Sequence, residues 1–219
     1  MRAILFPVLT LISSAAFTQD RASLFAEAAA AKVRPAPSVR GDDMEWFFPT
    51  REVKHLAAGR FWEQPWESVA ANQSDPVPGI VEFHTLLQER GVRLLVVPVP
   101  AKASIYPETL VSGFRAGEVA ALAPFLKRIS DAGIDVLDLE PILLAARADR
   151  PDDLLYCRQD AHFSPSGAAW IAKKIAERAP LEGAKGPGSF QLDEEQRITF
   201  FGDQIVGSEW EGAVPPETL

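Results

Sequence analysis

"VRLLVVPV", residues 92–99, is almost continuously apolar and rich in β-branched side chains. A strand buried on both faces reads this way, whereas a strand with one wet face alternates. The stretch therefore predicts an α/β fold, a mostly parallel sheet flanked by helices. Upstream, "PGIVEFHTLLQERG" (78–91) predicts a helix. Ile80, Phe83 and Leu87 share one face, Glu82, Gln88 and Glu89 the other, and Gly91 ends it. Downstream the alternation continues. Val119, Leu122, Phe125 and Ile129 mark a helix closed by Gly133. "IDVLDL" (134–139) predicts a second strand, and "EPILLAARA" (140–148) a helix with Pro141 in its first turn. "DLLYC" (153–157) predicts a third strand. Beyond the Gly-rich connection "EGAKGPGSF" (182–190), "QRITFFGDQIV" (196–206) predicts a late strand or hairpin.

The N-terminus predicts export. Arg2 precedes an apolar run at residues 3–12, and small residues fill 13–16. This is the layout of a cleaved signal peptide over residues 1–16, and it places the mature protein in the periplasm. The run is too short for a permanent span, and Pro7 interrupts it. A helix over "ASLFAEAAAAKV" (22–33) is expected next, then an exposed linker at "RPAPSVRG" (34–41), with one domain over 42–219. The chain has 219 residues and a net charge of -8, with no basic stripe. Nucleic acid is excluded as a partner, and polyanions need local positive groups to meet them. Cys157, the only cysteine, cannot form an internal disulfide and reads as a small buried residue. A nucleophilic role is the alternative.

The chemistry concentrates in "YCRQDAHFSPSGAAW" (156–170). Ser164 is a good N-cap and Pro165 a good first helical residue. Ala168, Ile171, Ala172, Ile175 and Ala179 are expected to face inward, with Lys173, Lys174, Glu177 and Arg178 facing water. Asp160 and His162 then lie between a strand end and a helix start, where ligands bind in open α/β sheets. An Asp two residues before a His can accept the imidazole Nδ1 proton and leave Nε2 free to act as a base. The alternative is a loop Asp that caps local amides, beside a His held by backbone. A metal is not expected, because His55 and His84 fall on other elements and a site needs three or four ligands. Lys102 and Tyr106 lie in the loop after residues 92–99, where a cation and a phenol could bind an anionic or hydroxyl-rich ligand. A solvated Lys and a packed Tyr are the alternative.

"VVPVPAKASIYP" (96–107), followed by "DAHFSPSGA" (160–168), resembles the AlgX/AlgJ group of SGNH-hydrolase-like proteins of alginate and related exopolysaccharide O-acetylation. "EWFFPTREVKHLAAGRFW" (45–62) and "GDQIV" (202–206) are similar to earlier and later family elements. The resemblance implies a Ser-His-Asp triad with a permuted motif order. Asp160 and His162 match its acid and base, Lys102 and Tyr106 become substrate-binding candidates, and no cofactor is required. It also implies a polysaccharide substrate and a membrane-bound acetylation machinery as partner. The family's serine follows later, in a Gly-Asp-Ser or Gly-Thr-Ser turn that residues up to Leu219 do not contain. Ser164, Ser166, Ser189 and Ser208 follow His162, and Ser104 stands upstream at a strand end. The expectation is therefore a domain lacking its C-terminal nucleophile segment. Its expected function is that of a periplasmic O-acetyltransferase or acetylesterase on an exopolysaccharide such as alginate. The alternative is a catalytically incomplete glycan-binding or acetylation-complex accessory protein.

Overall fold

The computed structural model describes residues 20–63, 75–179 and 197–219. The signal-peptide stretch at 1–16, the connection at 182–190 and Ser189 lie outside the described residues. The first helix, α1, is Arg21–Lys32, capped by the Asp20 carboxylate, which accepts from Ser23 N at 3.0 Å. Strands β1 (Ser38–Arg40) and β2 (Phe47–Pro49) pair antiparallel, with Val39 opposite Phe48, and lead into α2 (Thr50–Ala57).

Residues 34–41 are therefore not an exposed linker. Ser38 and Val39 are buried. The prolines hold the chain straight enough to pair with an aromatic strand, and Thr50 N donates to Pro37 O at 2.9 Å. Phe25 and Ala29 of α1 sit in the same core as Phe48, Val53, Leu139 and Leu143. The N-terminal helix is thus part of the domain's packing, and its apolar face is covered by contact with α2.

The next elements are α3 (Pro76–Gln88), β3 (Leu95–Val96), α4 (Lys102–Ile105), α5 (Pro107–Leu110), α6 (Ala123–Asp131) and β4 (Asp135–Val136). Strands β3 and β4 run parallel, Leu95 opposite Asp135 and Val96 opposite Val136. This is the only parallel pair among the described residues. The run 92–99 is not buried on both faces, since Val92 is 48% and Val99 63% exposed. Continuous apolarity reported partial burial against two clusters: Leu94 and Val96 pack with Leu126, Ile129 and Ile134, and Val97 packs against the main core. Helix α3 turns Val77, Ile80 and Val81 toward that cluster, and Phe83 is exposed. Gly133, at φ +81°, stops the chain after α6 as expected.

Helix α7 (Leu139–Asp149) is capped by Asp138, which accepts from Glu140 N at 3.1 Å. Glu140 is 7% exposed, and burial pushes its carboxyl up to about 7 against the hydrogen bond from Leu122 N. The folded state therefore keeps the proton over a range in which the unfolded carboxyl, with its ordinary value of 4.5, has lost it. Stability from this group is present at acid pH and is lost as pH rises through neutrality, by roughly 2–3 kcal/mol after solvent screening. Urea denaturation of Glu140→Gln should show that slope flattened and the protein more stable than wild type at alkaline pH. An unchanged slope would place the proton elsewhere.

"DLLYC" forms no strand. Tyr156 makes a single antiparallel bridge to Phe163. The backbone groups a sheet would need are already engaged: Leu155 N donates to the Tyr106 hydroxyl, Leu155 O accepts from Ser164 N, and Cys157 N donates to His162 O. Helix α8 (Pro165–Arg178) follows, with the Ser164 hydroxyl accepting from Gly167 N at 3.0 Å. Its inner face carries Gly167 and Ile171, with Trp170 and Ile175 beside them, while Ala168 and Ala172 are exposed. The face is set by Gly167, which lies so close to Leu155 that a Cβ would meet the carbonyl oxygen at 2.0 Å. Strands β5 (Thr199–Phe200) and β6 (Glu217–Thr218) pair antiparallel and close the chain.

Candidate active site

The loop between α7 and α8 carries Asp160 and His162 on one side. Asp160 Oδ1 lies 2.6 Å from His162 Nδ1 and also accepts from His162 N at 2.9 Å. Asp160 Oδ2 accepts from Asp203 N at 3.0 Å. Burial works against the charge on Asp160, but these hydrogen bonds outweigh it and hold the carboxyl below its usual range. The His162 side chain is 80% exposed. An acidic partner on Nδ1 and an open Nε2 are what a general base requires.

Asp203 is the residue that sequence reasoning missed. It sits in "GDQIV", just after β5. Its Oδ1 accepts from Ala161 N at 2.8 Å, and its Oδ2 lies 3.9 Å from His162 Nδ1. Gly202 permits the approach: a Cβ there would stand 2.1 Å from Gln159 O and 2.7 Å from Asp160 N. Both neighbours are backbone and cannot swing away. Gly202→Ala should destabilise the fold by about 1–3 kcal/mol in urea denaturation. A loss well below that range would mean the loop yields.

Asp160, His162 and Asp203 also offer ligand-type atoms within 4.8 Å of one another. Asp203 thus supplies the third group that the sequence, searched for histidines, did not provide. The geometry is nevertheless that of a hydrogen-bonded set. A 2.6 Å N···O contact holds a proton between the two atoms, and backbone amides engage Asp160 Oδ2 and Asp203 Oδ1.

Beneath the loop stands Lys102, fully buried. Its ammonium donates to the carbonyls of Phe47, Cys157 (3.1 Å), Arg158 (3.2 Å) and Asp160 (2.9 Å). Burial pulls its pKa down to about 8, opposed by Glu52 and Glu217, so it remains charged at neutral pH. On the loop's other side the Glu217 carboxylate accepts from Arg158 N at 2.8 Å and Gln159 N at 2.9 Å. Lys102 thus takes carbonyls, and Glu217 takes amides, of the short stretch 157–160.

Tyr106 is also buried, its hydroxyl accepting from Leu155 N at 3.0 Å and its ring 4.7 Å from that of Trp46. Neither substrate-binding candidate is presented to solvent in this fold. Cys157 is buried as expected, and burial pushes its thiol up to about 11. It is therefore an unreactive thiol at neutral pH. Ser104 donates to Ala101 O at 2.8 Å, Ser164 to Leu154 O, and Ser208 to Ile205 O at 2.7 Å. Among the described residues, no serine hydroxyl hydrogen-bonds to His162.

Residues 38–210 match the family described as "SGNH hydrolase-like domain, acetyltransferase AlgX". Curated relatives that match bear the name probable alginate O-acetylase AlgJ. The one from Pseudomonas aeruginosa is 32% identical over 131 residues, covering 59% of this chain and 30% of the relative. The one from Pseudomonas syringae pv. tomato is 30% identical over 170 residues, covering 75% and 39%. The chain thus spans about a third of the length of these relatives. The solved O-acetyltransferase domain of Pseudomonas putida AlgJ superposes with a TM-score of 0.59 at 22% identity, over 84% of this chain and 63% of that one. At that identity the likeness is one of fold.

Proposed function

The chain belongs to the SGNH hydrolase-like domain family of the acetyltransferase AlgX, and on that footing we propose that it moves acetyl groups on hydroxyls of an exopolysaccharide such as alginate. The observation that carries this reading is the 2.6 Å contact between Asp160 Oδ1 and His162 Nδ1, with the imidazole open to solvent. Asp160 orients the ring and stabilises the imidazolium, and Nε2 takes the proton of an attacking hydroxyl. Asp203 holds the Asp160 carboxylate from behind. Lys102 and Glu217 position the loop rather than touch the sugar. The reading assigns base and orienting acid and leaves the nucleophile open. The permuted order of the motifs, with the Asp-x-His pair before the serine, belongs to this proposal. So do a fuller parallel sheet than the β3–β4 pair, periplasmic location from the pattern at residues 1–16, and a membrane-bound machinery that delivers the acetyl group.

One observation favours a second reading: no described serine hydroxyl reaches His162. A glycan-binding or accessory member of an acetylation complex would keep the loop and dispense with turnover. Hydrolysis of acetylated alginate to acetate, and acetyl transfer to alginate from an activated acetyl ester with release of its alcohol, by the full chain distinguish the two. Turnover that His162→Ala abolishes is the expected result. Alginate binding without turnover would select the accessory role, and turnover indifferent to His162→Ala would overturn the site.

A further inference from the structure

Next to the acid–base loop lies a groove of about 570 Å³, within the usual range for a ligand site. Arg34, Arg51 and Lys54 line it, and Gln204 closes one end. All three cationic residues are exposed. Among the described residues none of the three makes an ion pair, although other basic residues do: Arg60 with Asp20, Arg147 with Glu108, Arg158 with Glu45, Arg178 with Asp135. In a chain of net charge -8, three cations around one concavity are a local reversal of field, although Glu52 beside Arg51 offsets part of it. The walls are stiff. Pro35, Pro37 and Pro49 line the groove, and Thr50 ties its two sides together through Ala36 O (2.5 Å) and Pro37 O (2.9 Å). Arg51 and Lys54 stand one helical turn apart on α2 and so share a face.

Gln204 connects this groove to the chemistry. Its N–H donates to Gln159 O at 3.1 Å, and its amide donates to Asp203 Oδ1 at 2.9 Å. Asp203 in turn stands against Asp160 and His162. A ligand lying along the cations therefore ends beside the loop that carries the base.

We propose that the Arg34–Arg51–Lys54 groove is a subsite for the carboxylates of an anionic polysaccharide, holding the chain on one side of the Asp160–His162 pair. The inference rests on the glycan-directed reading above and adds which part of the glycan is recognised and where. A polyuronate carries a carboxylate on every sugar, so a row of separated cations can meet successive residues. A neutral glycan gains nothing from such a row.

Isothermal titration of the full chain with alginate oligomers, and with neutral dextran oligomers for comparison, tests this. Alginate should bind, dextran should not, and added salt should weaken the complex. Arg34→Glu combined with Lys54→Glu should weaken alginate binding roughly tenfold, and Arg51→Gln alone by about two- to threefold. Arg93→Glu combined with Lys173→Glu changes the net charge equally on surfaces outside the groove and should leave binding intact. Equal weakening by both pairs would reduce the effect to net charge and overturn the subsite. So would alginate binding that neither groove variant alters. If alginate fails to bind while acetyl release from a neutral acetylated glycan still depends on His162, the groove assignment falls and the acyl chemistry stands.

Discussion

Replacing His162 by Ala should lower acetyl turnover by roughly a thousandfold or more, and Asp160→Asn should come close to it. The reason lies in the tautomer. Asp160 Oδ1 accepts the Nδ1 proton at 2.6 Å, which leaves the lone pair on Nε2. Alanine at 162 removes the base. Asparagine at 160 keeps the shape, but its NH₂ must replace an acceptor facing either the His162 or the Asp203 amide; turned toward Nδ1, it puts the proton on Nε2 and disables the base. A low-field Nδ1 proton resonance, present in the wild type and absent in Asp160→Asn, would report this independently of turnover. Asp160→Asn with unimpaired turnover would show that the pair is a loop cap, the alternative that the sequence left open.

Lys102→Met should cost about 3–5 kcal/mol of stability in urea denaturation. Methionine fills much of the volume but donates nothing. The carbonyls of Phe47, Cys157, Arg158 and Asp160 would lose their common donor; Arg158 O keeps the bond from Phe47 N, and each of the others left unsatisfied costs about 1–3 kcal/mol. The charge matters as well, because Glu52 and Glu217 both act on Lys102 and would lose their counter-ion. Lys102→Arg should not rescue fully, since a planar fork cannot meet carbonyls placed around a point charge. A loss below about 1 kcal/mol would mean that water replaces the ammonium. Because the loop held by Lys102 also carries Asp160, turnover should fall with stability even where the protein remains folded.

How far the sequence could be read depended on whether the governing interaction was local. Ser164 and Pro165 open α8, Asp160 meets His162, and Gly133 stops α6, all within a few residues of chain. Lys102 shows the opposite case. A lysine after an apolar run reads as a ligand-binding or a solvated cation, and nothing nearby reveals that carbonyls 55 to 58 residues away will enclose it. Asp203 and Glu217 were invisible as parts of the site for the same reason, reaching it across 42 and 58 residues. The prolines of 34–41 suggested a loose linker, although fixed φ serves a strand edge and a stiff groove wall equally well. The apolar run 92–99 signalled contact with helices and could not say how many strands would flank it. Gly167 rotated the face of α8 because a close backbone approach leaves no mark in apolar spacing.

The clasp of Glu217 on the amides of Arg158 and Gln159 also bears on the order in which the molecule forms. During synthesis the N-terminal parts emerge first, so Lys102 and its carbonyl partners are available long before residue 217. Closing so long a loop is entropically slow relative to forming a helix. Helices such as α8 can therefore set early, while the stretch that presents Asp160 and His162 waits for a carboxylate 58 residues further along the sequence. Pulse-labelled hydrogen exchange would see the amides of Arg158 and Gln159 protected among the last. The candidate acid–base loop is, in kinetic terms, expected to be the keystone of the fold rather than its nucleus.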